Sequence, residues 1–184
     1  MQRSLLSSTN PEFSALRFPT FTEFKVENWR LSRDGTGKIV KGSSSWSWPD
    51  CIPPVIVAYL WPKTSLWARI TIIMLVAVLV WLKCTQVLFE SVVVFPDHGI
   101  QLETHRGLPP WTFSVSRRFI PKATLRDVVI NEGITRWNIR YYLLAINQRK
   151  PDVVDIELFF PNILPHFPVL QEVYCGVHDI LFRA

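Results

Sequence analysis

Catalysis by side chains needs groups that converge, and this 184-residue sequence offers few candidates. Its histidines are His98, His105, His166 and His178. His98 falls in the turn Pro96-Asp97-His98-Gly99 and His105 lies beside a second turn. His166 and His178 occupy helical positions twelve residues apart. None has the spacing to another His or Cys that a zinc site uses. Cys51, Cys84 and Cys175 are far apart and form no CxxC pair. An odd number cannot all pair within the chain, so a disulfide scaffold and a zinc ribbon both fit poorly. Cys84 and Cys175 have no neighbour that would lower a thiol pKa, and buried structural cysteines describe them better than nucleophiles. The acids are scattered, and Asp152 and Asp155 suit a solvated strand entry. No GxSxG, P-loop or GxGxxG motif occurs. The sequence therefore assigns no catalytic residue, no metal and no cofactor.

The most informative string is Leu125-Arg126-Asp127-Val128-Val129-Ile130-Asn131-Glu132-Gly133. Its apolar triplet suits a buried strand. Its Asn-Glu-Gly ending suits a turn, because Asn tolerates positive φ and Gly adopts it freely. Two readings stand. The plainer one is that Asn131 and Glu132 satisfy backbone amides in that turn. The functional one is a contact presented to a partner, with Asp127, Asn131, Glu132 and Gly133 as its candidates.

These residues lie in a segment, 84–184, that reads as one compact domain. Gln86 to Phe95 is rich in Val and Phe, and Ile100 to Thr104 alternates, so the two form a hairpin around the turn at 96–99. Trp111, Phe113 and Val115 alternate with Thr112, Ser114 and Ser116, the pattern of a half-buried strand ended by Ile120-Pro121. Leu125 to Ile130, Trp137 to Asn147 and Asp152 to Phe160 are further strands, the last with Val154, Ile156, Leu158 and Phe160 on one face. Phe167, Leu170, Tyr174, Val177 and Leu181 then recur at three- and four-residue steps, one face of a helix lying on the sheet, with Pro168 suited to its first turn. The fold class is α+β: a pleckstrin-homology-like antiparallel β domain capped by a C-terminal helix.

Ahead of it lies apolar sequence. Ile52 to Trp61 and Leu66 to Leu82 are two hydrophobic halves interrupted by Pro62-Lys63-Thr64-Ser65. The second spans about 25 Å as a helix and the first about 15 Å, against a hydrocarbon core of roughly 30 Å. A short membrane hairpin over 46–83 is the natural solution, spanning or re-entrant. Trp46, Trp48, Trp61, Trp67 and Trp81 mark its ends and its turn, where an aromatic belt belongs. Arg69, one turn inside the second helix, can snorkel back to the surface. Residues 1–45 read as a polar cytosolic segment with linker tracts at Asp34-Gly35-Thr36-Gly37 and Gly42-Ser43-Ser44-Ser45. Its aromatics, Phe13, Phe18, Phe21, Phe24 and Trp29, read as weak local packing onto the later domain, or else as a docking segment for a partner or the membrane surface. The N-terminus lacks the apolar run of a signal peptide.

Charge agrees with this division. The net charge is +5, with charged residues at 19% against about 25% in soluble domains. Residues 84–184 hold ten basic and ten acidic residues, so the whole excess lies around the apolar stretch. Anionic membrane surfaces attract that arrangement. A nucleic-acid binder carries its basic face on the folded domain, so nucleic acid is not expected as a partner. Arg30, Arg33, Lys38, Lys41 and Lys83 flank the hairpin and place both ends in the cytosol.

The chain resembles the PIG-H family, the H subunit of the phosphatidylinositol N-acetylglucosaminyltransferase complex. The resemblance rests on Asp127-Val128-Val129-Ile130-Asn131-Glu132-Gly133-Ile134 and Arg140-Tyr141-Tyr142-Leu143-Leu144. Asp97-His98-Gly99-Ile100-Gln101-Leu102, Val173-Tyr174 and Asp179-Ile180-Leu181 support it. It covers roughly residues 85–182. It implies a non-catalytic accessory subunit of the membrane complex that transfers N-acetylglucosamine from UDP-GlcNAc to phosphatidylinositol, the first step of glycosylphosphatidylinositol anchor synthesis. It implies the endoplasmic reticulum membrane, with the main domain facing the cytosol. It implies the catalytic A subunit and the other subunits as partners. The alternative is a free-standing, membrane-anchored lipid- or protein-binding module of pleckstrin-homology-like type. Arg117, Arg118, Lys122 and Arg126 are then its candidate headgroup cluster.

Overall fold

The computed structural model describes residues 2–4, 10–31, 39–42, 52–63, 65–135, 138–150 and 153–182. The tracts at 34–37 and 43–45, Arg33, Lys38, Trp46, Trp48, Cys51 and Trp137 lie outside them. The strands are β1 (Gln2–Ser4), β2 (Phe13–Arg17), β3 (Thr22–Glu27), β4 (Trp29–Leu31), β5 (Ile39–Lys41), β6 (Val87–Phe95), β7 (Gly99–Leu108), β8 (Trp111–Pro121), β9 (Leu125–Thr135), β10 (Asn138–Lys150) and β11 (Val153–Leu158). The helices are α1 (Ile52–Leu60), α2 (Leu66–Cys84) and α3 (Phe167–Leu181), with a 3-10 turn at Trp61–Lys63. All strand pairs are antiparallel. One sheet runs β1-β2-β3-β6-β7-β8, a second β11-β10-β9, and β4 pairs with β5.

The β6–β7 hairpin forms where the valine-rich pattern and the Pro96–Gly99 turn place it. Gly99 has φ 135°, and a side chain there would strike the Ile120 carbonyl of β8, so only glycine fits. Along β6 the even positions Leu88, Glu90, Val92 and Val94 face inward. They meet Phe24 and Val26 from β3, Ile100 and Leu102 from β7, and Val128, Leu143 and Ala145 from the second sheet. Helix α3 packs against β9, β10 and β6. It buries Val169, Leu170, Val173, Val177 and Leu181, so its buried stripe is shifted from the expected one: Phe167 is exposed and Tyr174 half-buried.

Three expectations need correction, and the direction of one strand face is new. Residues 13–27 are not weakly packed: β2 and β3 extend the same sheet that carries β6–β8, so a domain boundary at 45 cuts through that sheet. The Thr22–Glu27 strand alternates buried and half-buried residues, and Phe13, Phe24 and Val26 are fully enclosed. Strand β8 is not half-buried. It is the outer edge of its sheet, and only Ile120 is covered. Asn131-Glu132-Gly133 is not a turn. β9 runs on to Thr135, because β10 pairs with it from Asn138 onward. On β11 the apolar row Val154, Ile156 and Leu158 faces outward, while Glu157 is buried, because Glu157 stands opposite Ala145, a core position of β10.

Among the described residues, α2 is the one helix long and apolar enough to cross a membrane, at 19 residues and mean hydropathy 2.0. None of its residues is buried. It spans about 28 Å, whereas the nine residues of α1 span about 14 Å. Arg69 lies over the Trp61 ring, 5.6 Å from its centroid. Only Thr85 and Gln86 separate α2 from β6, and Thr85 is tied back to the Trp81 carbonyl.

Candidate partner interface

Strand β9 carries Asp127, Asn131, Glu132 and Gly133 along one edge of the three-stranded sheet. Opposed residues of an antiparallel pair share a face. Asp127, Val129, Asn131 and Gly133 stand opposite Ile146, Leu144, Tyr142 and Arg140 of β10. Ile156 and Leu158 of β11 continue two of those rows. Glu132 stands opposite Tyr141, on the other face, where the Tyr141 ring meets Phe167 at 5.0 Å. The four residues therefore do not converge on a point.

Tyr142 unites two of them. Its hydroxyl accepts a hydrogen bond from Asn131 Nδ2 at 3.1 Å, and its ring lies where a side chain at Gly133 would stand, 3.0 Å from the position a Cβ would take. Asn131 Oδ1 in turn accepts from the Glu132 amide at 2.9 Å. Asp127 is engaged elsewhere. Its Oδ1 accepts from the Val128 amide at 2.7 Å and lies 3.5 Å from His178 Nε2 on α3. Asp127 and the Asn131 oxygen thus each accept from the amide of the residue that follows them. Beside this polar strip lies the apolar row Val154, Ile156 and Leu158, 42–62% exposed. Its alternation was legible in the sequence, but its outward direction was not.

The basic residues of β8, β9 and the turn between them do not form a cluster aimed at one ligand. Arg117 Nε donates to Glu103 at 2.9 Å and Arg118 Nη1 to Glu157 at 2.7 Å. Lys122 Nζ donates to the Pro96 carbonyl at 3.0 Å, and Arg126 Nε to Gln148 Oε1 at 2.8 Å. Burial works to raise the Glu103 carboxyl. Its contacts to His105, Gln101 and Arg117, with the Arg117 charge, outweigh burial and hold it below the ordinary carboxylate value. Among the described residues, no three His, Cys, Asp or Glu side chains stand close enough to hold a metal ion.

Sequence reasoning missed Glu90. It is fully buried on β6 and accepts from Thr104 Oγ1, from Asn162 Nδ2 and from the backbone amides of Asn162 and Ile163. An acid within a run of strand-forming apolar residues was the available signal. Also missed was a cavity of about 650 Å3 beside the α2–β6 junction, walled by residues from both ends of the chain.

Residues 91–161, from β6 through the end of β11, match the family model described as GPI-GlcNAc transferase complex, PIG-H component. This segment of the chain is similar to the PIG-H family. The PIG-H match contains the whole β9–β10 hairpin and leaves out β1–β5, α1, α2 and α3. Two curated relatives are similar to it. Phosphatidylinositol N-acetylglucosaminyltransferase subunit gpi15 of Schizosaccharomyces pombe is 37% identical over 86 residues, 46% of this chain and 49% of that protein. Subunit GPI15 of Saccharomyces cerevisiae is 30% identical over 92 residues, 46% of this chain and 39% of that protein. The alignments thus span half or less of each relative. No solved structure matches the chain.

Proposed function

We propose that this chain is a membrane-anchored accessory subunit of the complex that transfers N-acetylglucosamine from UDP-GlcNAc to phosphatidylinositol, opening glycosylphosphatidylinositol anchor synthesis. The observation that carries this reading is the PIG-H match over residues 91–161, together with relatives named as subunits of that transferase. The chain contributes no catalytic side chain in this reading; a larger glycosyltransferase subunit performs the transfer. α2 anchors it in the endoplasmic reticulum membrane, and α1 returns beside α2 as the short arm of a hairpin over 46–83. A groove lined by Val57 and Ala58 of α1 and by Val76 and Leu79 of α2 favours that arrangement. The strands, with α3 closing one end, form a pleckstrin-homology-like domain on the cytosolic side. That domain takes in 84–184 and, from the N-terminal region, the strands at 13–27. The face carrying Asn131 and Gly133, beside Ile156 and Leu158, binds the catalytic subunit, with Asp127 at its margin and Glu132 reached from the other side of the exposed β9 edge. A polar strip next to an exposed apolar row suits a protein partner.

The test is mild-detergent affinity purification of the tagged chain from microsomes, with the eluate assayed for transfer from UDP-GlcNAc to phosphatidylinositol. Activity that co-elutes with a larger glycosyltransferase chain is the expected result. Asn131→Ala and Glu132→Lys should reduce co-elution while leaving the melting temperature within a few degrees. A clean protein without partner, from membranes that contain the activity, overturns the reading and leaves the free-standing module.

A further inference from the structure

We infer that the tip of the β7–β8 hairpin, Leu108 to Phe113, is a second membrane contact, seated in the headgroup layer of a phospholipid bilayer. The inference rests on the reading above in one respect, that α2 lies in the bilayer.

The path of the chain sets the level of the tip. Gly107 N donates to the Gln86 carbonyl at 3.0 Å, within the short link between α2 and β6. β7 runs antiparallel to β6, so the residues after Gly107 run back past that link toward the end of α2. At about 3.4 Å per residue the tip reaches about 7 Å beyond Gly107, a little more than one turn of helix. Leu108 accordingly lines the apolar groove between α1 and α2, together with Val80, Lys83 and Cys84. The link is stiff. The Thr85 amide and hydroxyl both donate to the Trp81 carbonyl, and Gln86 Nε2 donates to the Lys83 carbonyl at 2.9 Å. The domain therefore holds the tip beside the last turn of α2.

The side chains suit that level. Residues 107–116 carry no charge. Trp111 stands opposite Leu108 and shares its face. Trp111 is 66% and Phe113 60% exposed, and Trp81 in the last turn of α2 is 70% exposed. Aromatic rings gathered where a helix leaves the bilayer form an interfacial belt. Arg106 is exposed at the base of the tip, and residues 104–126 contain no acid, which complements a phosphate layer. Depth is limited by the backbone. β8 is the edge of its sheet, so its outer N–H and C=O groups have no strand partner among the described residues. Hydrocarbon does not tolerate an open edge, whereas the headgroup layer supplies water and oxygen acceptors. A protein partner would have to enter between the tip and the membrane surface, so the lipid is the better fit.

The test uses the full chain carrying Cys51→Ser, Cys84→Ser and Cys175→Ser in phosphatidylcholine vesicles. An environment-sensitive fluorophore is placed by Thr112→Cys at the tip, by Val78→Cys on α2, or by Asp97→Cys in the turn at the other end of β7, about 30 Å away. The vesicles contain lipids with a nitroxide either near the headgroup or deep in the acyl chain. The label at 112 should shift its emission to the blue and be quenched more by the shallow nitroxide than by the deep one. The label at 78 should show the reverse preference, and the label at 97 should respond to neither. Trp111→Ser with Phe113→Ser, both at exposed positions, should remove most of the quenching at 112 without moving the melting temperature. Quenching at 112 no stronger than at 97, or unmoved by the double variant, overturns the inference. If 78 is quenched in that case, the anchor stands and the tip is left to a protein partner. Labels at 78 and 112 that are both unquenched overturn the anchor and the inference together.

Discussion

Gly176 of α3 and Phe24 of β3 occupy one space: a Cβ at 176 would stand 3.0 Å from Phe24 Cε1 and closer still to Cζ. The ring of Phe24 is 1% exposed. This contact joins an N-terminal strand that precedes the apolar helix α2 to the C-terminal helix that closes the domain. Gly176→Ala should therefore destabilise the protein by about 1–3 kcal/mol through overpacking, although alanine is the better helix former. Phe24→Ala should cost about 3–5 kcal/mol. In a Phe24→Leu background the penalty of Gly176→Ala should shrink, and a double-mutant cycle by denaturant unfolding measures the coupling. Additive effects would mean that the two do not touch.

Glu90 holds the loop between β11 and α3 from within the core. Glu90→Ala leaves the Asn162 and Ile163 amides without their acceptor and should cost about 2–3 kcal/mol. Glu90→Gln keeps one acceptor oxygen and should cost less. Hydrogen exchange at the 162 and 163 amides should quicken in both variants, more in the alanine one.

The Glu103 carboxyl is held below its ordinary value, so it contributes stability that is complete above that value. The contribution is lost as pH falls through the lowered folded-state value. Melting temperature should drop on acidification below about pH 4.5, and Glu103→Gln should flatten that part of the profile. An unchanged acid limb would remove Glu103 from the account.

The two arginines of β8 should differ. Glu157 is 7% exposed and pairs with Arg118 at 2.7 Å across the two sheets. Arg118→Ala leaves that buried carboxylate without its cation and should cost about 1–3 kcal/mol. Arg117→Ala leaves Glu103 its Gln101 and His105 contacts and should cost less than about 1 kcal/mol. Thermal unfolding of the two variants side by side decides it.

The β6–β7 hairpin, the apolar helix at 66–84 and the C-terminal amphipathic helix were legible from residue order alone. Each depends on a local signal: a turn glycine between valine-rich runs, an uninterrupted apolar length, a three-and-four spacing. The Asp127–Ile134 string likewise carried the family likeness. Tertiary structure decided the rest. Whether Phe13 and Phe24 are docking aromatics or core depends on β3 finding β6 across the intervening apolar segment, a pairing of residues more than sixty apart in sequence. Which face of β11 is buried depends on its register with β10, since a shift of one residue exchanges the two faces. The Asn-Glu-Gly segment has turn composition but becomes strand because ten β10 residues pair along β9, and the ladder outweighs local preference. The cavity beside the α2–β6 junction has no sequence signature, because its walls come from the N-terminus, the α2–β6 junction, β10 and the loop before α3. Only the folded chain brings these together, since no local pattern encodes contacts between segments so far apart.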